Sequence, residues 1–373
     1  MRWLWVVMVL TACAGTGASS AGGGSGASGG GSGASGGGSS GGGVGGGASS
    51  SGGGLAGGGT GGGDAGADAG LDAGVDAGVD AGFDAGVKDA GPFDAGSPFE
   101  CDPPGDAGAP FLVRAVAANL SSGNFQSYDG GHGARILMAL QPDVVLLQEF
   151  NVGDNSPAAV QAFVDATFDG GTDAGFFWVR GANGQQIPNG VVSRWPVLAQ
   201  GEWADPQVLN RAFTYAQVDL PGPRDLWLVS VHLLTSNAMD RGLEAKALAR
   251  ALNLQVPAKD FLIIAGDMNT TTRAELAFDN LQGRVVVTGP YPVDQQGVDG
   301  TNGSRVYPFD NVLASPCLQK NQVPVQLAGS RLDAGLVFDT RKFTPVVPPS
   351  LTTDSAAPNM QHMAVVKDFL VQP

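Results

Sequence analysis

Residues Phe261–Asn269, "FLIIAGDMN", decide the fold. An apolar run leads into a small Ala-Gly pair, then into a carboxylate at Asp267 and a carboxamide at Asn269. The run reads as a strand buried on both faces. A strand tip is a rigid mount for polar chemistry, because the buried sheet holds it still. Taken alone, the fragment reads more simply as a strand followed by an Asx turn. Whether it means more depends on partners elsewhere in the chain.

Similar runs surround it. "FLVRAVAANL" ends on Asn119 and Leu120, and "DVVLLQE" is a buried-strand run ending at Glu149. "GVVSRWPVL" gives a short strand. "DLWLVSVHL" alternates, with Leu226, Leu228 and Ser230 on one face and Trp227, Val229 and Val231 on the other. "YPFDNVLAS", "AGLVFDT" and "HMAVVKDFLV" supply the later strands. Helical patterns lie between some of them. "GHGARILMALQPD" should stop near Pro142, and "SPAAVQAFVDATF" should start at Pro157 after a Ser156 cap. "NAMDRGLEAKALARALNL" places Leu243, Ala247, Ala251 and Leu252 on one face. Helices alternate with strands early, and strands crowd late. The expected class is α+β: a four-layer α/β/β/α sandwich of two mixed sheets.

The polar residues at these strand ends form a set. Asn119, Glu149, His232, Asp267, Asn269 and Asp310 stand at or near strand ends, and His362 opens the last strand. The chain has 3 His, and two of them belong to this set. The types suit hydrolysis of a phosphate ester. A hard cation such as Mg²⁺ (or Mn²⁺) takes oxygen ligands, for which Glu149 is the candidate with Asn119 beside it. Asp267 is placed to orient and deprotonate a water, and Asn269, two residues on, points to the same side. His232 and His362 can face the developing negative charge, with Asp310 holding His362 in one tautomer. Arg194 and Arg211 either bind phosphate or pair with acids. His132 reads as a surface or capping residue, and Trp195 and Trp203 read as packing.

The set resembles the endonuclease/exonuclease/phosphatase superfamily, whose members look like deoxyribonuclease I. The matching pieces run in family order: "AANL", "VVLLQE", "VSRWPV", "VSVHLL", "IIAGDMN", "YPFDNVLAS" and "QHMAVVKDF". They span nearly all of 111–373. The resemblance implies Mg²⁺ or Mn²⁺ bound by Glu149 and Asn119. It implies Asp267 aligning the attacking water, Asn269 placing the phosphate and His232 touching it. Asp310 would orient His362 toward the scissile group, and Arg194 would bind substrate. One departure stands out: the family carries Ser-Asp-His before the last strand, and this chain reads "NMQHMAV", with Gln361 in place of the acid. Asp354 can substitute only if its loop folds back.

Ahead of this domain the texture differs. Gly makes up 60 of 373 residues, mostly before Pro110, and residues 1–110 carry −9 of the net −15. "MRWLWVVMVLTAC" is one basic residue, a short apolar core and small residues before a Cys, too short for a mature membrane helix. "LTAC" resembles a bacterial lipobox, with Cys13 as the lipidated residue, and Ala14 by the same resemblance favours outer-membrane sorting. The expected divisions are a signal peptide at 1–13, a disordered linker at 14–109 and the catalytic-type domain at 110–373. The linker is Gly/Ser/Ala, then an Asp-Ala-Gly repeat from Asp64. It buries too little apolar surface to fold, and as a coil of ~95 residues it reaches about 50–60 Å. Export leaves Cys101 and Cys317 in an oxidising compartment, and sequence leaves their pairing open.

The expected protein is an exported, lipid-anchored monomer on the periplasmic or cell-surface face of the outer membrane. Its substrate is a phosphate ester, nucleic acid among the options. The acidic balance and the lack of a basic patch with interleaved aromatics argue against a tight DNA coat. The competing reading is a catalytically degenerate domain displayed for binding, supported by Gln361.

Overall fold

A computed structural model of the protein describes residues 101, 108–121, 127–168, 175–182 and 185–373. The signal segment with Cys13, and the linker apart from Cys101 and its last two residues, lie outside the described residues. No helix among the described residues is long and apolar enough to cross a membrane.

The elements run β1 Phe111–Ala118, α1 His132–Leu140, β2 Val144–Leu147, α2 Pro157–Phe168, β3 Phe177–Arg180, β4 Gly190–Ser193, β5 Val197–Ala204, β6 Ala212–Val218 and β7 Leu226–His232. They continue with α3 Ala238–Gln255, β8 Phe261–Asp267, α4 Leu276–Leu281, β9 Asp310–Ala314, α5 Pro316–Gln319, β10 Gln322–Val323, β11 Val325–Leu327, β12 Ser330–Leu332, β13 Leu336–Phe338 and β14 Ala364–Val371. One main sheet is ordered β10-β14-β1-β2-β4-β3, with β13 also on β14, the other main sheet β5-β6-β7-β8-β9, and β11-β12 form a separate two-stranded sheet. Both are mixed: β1–β2 and β7–β8 are parallel, and their other neighbours are antiparallel.

Three apolar clusters make the layers. Val113, Leu146, Leu228, Ile263 and Val312 meet between the sheets. Val116, Val145, Ile136, Val160 and Phe163 pack α1 and α2 on the first sheet. Val229, Ile264, Leu248, Leu252 and Phe278 pack α3 and α4 on the second. The four-layer α+β sandwich expected from the sequence is the observed fold. Pairs such as Leu228 and Val229 alternate between the middle layer and the outer one, as a two-sided buried strand requires.

The helix limits have local causes. Ser156 Oγ accepts the Ala159 amide at 3.2 Å ahead of α2, and the Asn237 side chain accepts from Met239 at 2.8 Å to start α3. Gln141 turns to φ 49° just before Pro142, ending α1. The buried face of α3 differs from expectation. Gly242, Ala245, Leu248 and Leu252 are buried, and Leu243 is 47% exposed. Buried polar residues set the rotation: Arg241 pairs with Glu275 and Glu244 accepts the Leu234 amide. A hydrophobic count cannot weigh such pairs. The strands β3, β5 and β6 were not among those read from the sequence. Cys101 and Cys317 form a disulfide with Cα atoms 5.4 Å apart, tying the start of the domain to α5.

Candidate active site

The strand ends named by the sequence converge because of sheet topology. β1 and β2 run parallel and finish at the same end as the parallel pair β7 and β8. β9 and β14 run antiparallel to these neighbours, so their starts lie there too. Register then sets His232 opposite Asp267, and Asp267 opposite Asp310, on three adjacent strands. Asn119, Glu149 and His362 come to them from the facing sheet.

Asp267 is the hub. Its Oδ2 accepts from Asn119 Nδ2 at 3.1 Å and lies 3.3 Å from His232 Nε2 and 3.4 Å from His362 Nε2. Its Oδ1 accepts the Asn269 amide at 2.9 Å. Asn119 Nδ2 also donates to Glu149 Oε1 at 3.2 Å, linking the hub to the second carboxylate. His362 Nδ1 stands 3.0 Å from Asp310 Oδ2. Asn269 donates to the Leu233 carbonyl at 2.9 Å.

Close backbone approach makes this arrangement possible. Gly266 has φ 143°, and a Cβ there would lie 2.1 Å from the Val231 carbonyl oxygen and 2.5 Å from Gln148 Nε2. Glu149 and Asn269 adopt left-handed φ values of 51° and 50°, a conformation that costs a non-glycine residue energy and clusters at functional sites. Beneath them, Gln148 Nε2 donates to Ser230 Oγ at 2.9 Å, and Ser230 donates to the Leu147 carbonyl at 2.7 Å, joining the two sheets below the site. Tyr128 OH donates to the Ala118 carbonyl at 3.2 Å and accepts the Leu120 amide at 3.2 Å, fixing the chain on both sides of Asn119.

The charges are uneven. Burial raises Asp267 to about 7, against the pull of His362 and with a further push from Asp310. Burial disfavours the cation at His362, but Asp310, Asp267 and Glu149 outweigh it and raise its pKa to about 10. His232 is held well below its ordinary value by burial, Arg211 and His362. One imidazole is therefore cationic and the other neutral at neutral pH.

Two sets of groups compete as a cation site. Ligand atoms of Asp267, Asp310 and His362 all lie within 4.8 Å of one another. That trio is an acid–histidine–acid bridge, with both ring nitrogens of His362 facing carboxylate oxygens. Glu149 with Asn119 is the better fit to a hard cation: the amide donates through Nδ2 to both acids, leaving its Oδ1 as an oxygen donor. Asp310 Oδ1, buried with no hydrogen-bond donor, is a further unused oxygen nearby.

One expectation is corrected and one condition is not met. Arg194 is not brought to the cluster. It pairs with Asp143 at 2.9 Å, and Asp143 precedes β2 whereas Glu149 follows it, so the two lie at opposite ends of the strand. Asp354 does not stand in for the missing acid beside His362: it is buried and committed to Arg135 and the Leu351 amide. Trp203 is packing, as read, stacked on Tyr215 at 4.5 Å. The sequence reading missed Thr301, whose Oγ1 accepts the Asp310 amide at 2.7 Å and whose carbonyl accepts the Met363 amide at 2.7 Å. Thr301 sits in an irregular loop with no periodicity to mark it.

Residues 117–331, over half of the chain, match the model of the Endonuclease/Exonuclease/phosphatase family. The match contains Asn119, Glu149, His232, Asp267, Asn269 and Asp310 and stops short of Gln361 and His362. No curated protein matches the chain by sequence. Among solved structures, the chain is similar to an endonuclease/exonuclease/phosphatase from Beutenbergia cavernae DSM 12333, at 20% identity and TM-score 0.48, covering 70% of this chain and 72% of that one. It is similar to another from Bacteroides vulgatus, at 14% identity and TM-score 0.47, covering 70% and 99%. It is also similar to humanized D. rerio TDP2 with 14 mutations, at 17% identity and TM-score 0.44, covering 69% and 98%.

Proposed function

The chain belongs to the endonuclease/exonuclease/phosphatase family, and from that premise we propose that it is a divalent-metal-dependent phosphodiesterase. Family membership supports hydrolysis of a phosphoester. The observation that carries the reading further is the hub: one carboxylate oxygen of Asp267 lies within hydrogen-bonding range of Asn119, His232 and His362. Its pKa of about 7 suits a base that works near neutral pH.

In this reading, water enters beside Asp267 and gives its proton to that carboxylate as its oxygen bonds to phosphorus. Asn269, pinned to the Leu233 carbonyl, holds the phosphate in line. Neutral His232 donates to a phosphoryl oxygen. Cationic His362, braced by Asp310, faces the negative charge and donates a proton to the departing oxygen as the phosphorus–oxygen bond breaks. Glu149 and Asn119 would hold Mg²⁺ or Mn²⁺, which supplies Lewis-acid polarisation of the phosphoryl group. The substrate class is a phosphodiester, with nucleic acid as the leading candidate.

The test is turnover of plasmid DNA and of a chromogenic phosphodiester by protein stripped of metal, with and without Mg²⁺ or Mn²⁺, beside Asp267→Ala. Metal-dependent cleavage lost in the variant supports the reading. Cleavage that survives in the variant sinks it. A second reading has one observation in its favour: Gln361 replaces an acid beside His362, and Asp354 is spoken for by Arg135. A display domain without turnover would bind metal or phosphodiester and cleave neither substrate.

The placement of the protein belongs to the same proposal. Support comes from the sequence ending in Cys13 and the long Gly/Ser and Asp-Ala-Gly linker. The lipid on Cys13 would anchor a monomeric domain to the outer membrane. Cys13→Ser should move the protein to the soluble fraction, and a variant still sedimenting with membranes would show another anchor.

A further inference from the structure

The segment just past His232 is gripped by buried groups that the mechanism does not use. Arg211 precedes β6 and is 4% exposed. Its Nε donates to the His232 carbonyl at 2.6 Å and its Nη2 to the Leu233 carbonyl at 3.1 Å. Glu244, fully buried on α3, accepts the Leu234 amide through both oxygens at 3.1 and 2.9 Å. Asp205, just after β5, completes the group. Its Oδ1 accepts the Gln207 amide at 2.9 Å, and its buried Oδ2 has no ordinary donor.

Asp205 and Glu244 are near enough to act on each other, and burial holds the Asp205 carboxyl above its ordinary range. Burial, with the neighbouring Asp205, raises Glu244 to about 9. Arg211 supplies the opposing positive charge.

We propose that Arg211, Asp205 and Glu244 form a positioning clamp that holds His232 and Asn269 at the height the phosphate requires, an inference that rests on the phosphodiesterase reading. The argument is geometric. His232 is the last paired residue of β7, and beyond it the chain leaves the sheet. The Leu233 amide still donates to the Asp267 carbonyl at 2.9 Å, and the clamp supplies the partners that the sheet does not, at the His232 carbonyl, the Leu233 carbonyl and the Leu234 amide. Asn269 shares the Leu233 carbonyl with Arg211, so a shift of Leu233 moves both phosphate-facing side chains together. The clamp's hydrogen bonds go to backbone, while the Arg211 charge also helps keep the His232 pKa low. None of its members is a catalytic residue.

The experiment is steady-state kinetics of the full chain on the phosphodiester it turns over, with amide hydrogen exchange at Leu234. Glu244→Gln keeps an acceptor for Leu234, so its kcat should stay within about threefold of wild type. Glu244→Leu keeps the volume and removes both bonds. Its kcat should fall by about 10–100-fold with KM nearly unchanged, the scale of a catalytic group displaced by about 1 Å. Exchange at Leu234 should quicken in the Leu variant and not in the Gln variant. Arg211→Lys is the milder check should Glu244→Leu fold poorly: a single ammonium cannot span both carbonyls, so kcat should again fall while KM holds. Wild-type kcat in Glu244→Leu or Arg211→Lys overturns the clamp, as does a Gln variant as impaired as the Leu variant. Absence of metal-dependent turnover in the wild type sinks the hydrolase reading first; unchanged Leu234 exchange in Glu244→Leu then overturns the clamp on its own.

Discussion

Replacing Asp267 by Asn tests the hub with the least change of shape. The native carboxylate accepts on both sides: Asn269 N–H on Oδ1, and Asn119 Nδ2 with two imidazole nitrogens around Oδ2. An amide has one acceptor and one donor face. With its oxygen toward Asn269, its NH₂ meets Asn119 and both rings; turned over, its NH₂ meets the Asn269 amide. Either way a buried donor loses its acceptor, which costs about 1–3 kcal/mol. Removing a carboxylate that burial already disfavours offsets part of this, so the net change in stability should lie within about 2 kcal/mol. Activity should suffer far more. Loss of a positioned general base alone lowers the rate by about 10²–10⁴-fold, or roughly 3–5 kcal/mol of barrier. His362 also loses one of the carboxylates that sustain its charge. Chemical denaturation and kcat/KM, measured together on wild type and variant, separate the two effects. A variant that is folded and keeps more than a tenth of wild-type kcat/KM refutes the assignment of Asp267 as the base.

Asp310→Asn should change how stability depends on pH. His362 has a folded pKa raised from 6.5 to about 10, so its pairing contributes stability that is full below about pH 6.5 and drains away as pH climbs toward 10. Removing Asp310 should flatten that decline between pH 7 and 10; parallel denaturation curves for variant and wild type would contradict it. The Cys101–Cys317 bridge spans 216 residues of sequence, and the chain-entropy relation puts an upper bound of about 5 kcal/mol on its worth. Cys101→Ser should therefore lower the denaturation midpoint measurably without touching kcat, and a midpoint equal to wild type would show that the bridge constrains little.

The sequence by itself determined much about this protein. Apolar runs such as "VVLLQE" and "FLIIAGD" announced buried strands, because strand burial leaves a local signature in side-chain character. Helix limits at Pro157 and Gln141 were legible for the same local reason. The polar residues of the cluster could be named because each ends or opens such a strand. Fold class followed from the order of those signals.

Tertiary structure decided everything that depends on which strand lies beside which. His232, Asp267 and Asp310 stand abreast only because β7, β8 and β9 pair in one register, and a slip of one residue would turn Asp267 to the other face. Arg194 sits in a motif adjacent in family order to Glu149, yet antiparallel pairing of β2 and β4 puts it at the far end of the sheet. Leu243 looked like core, but the pairs made by Arg241 and Glu244 rotated α3 away from it. The grip of Arg211 and Glu244 on the segment after His232 has no trace in the sequence, since it exists only where folding brings β6, β7 and α3 together. Periodicity reports how a residue meets its own layer; contact across layers is non-local, set by the packing of the whole domain.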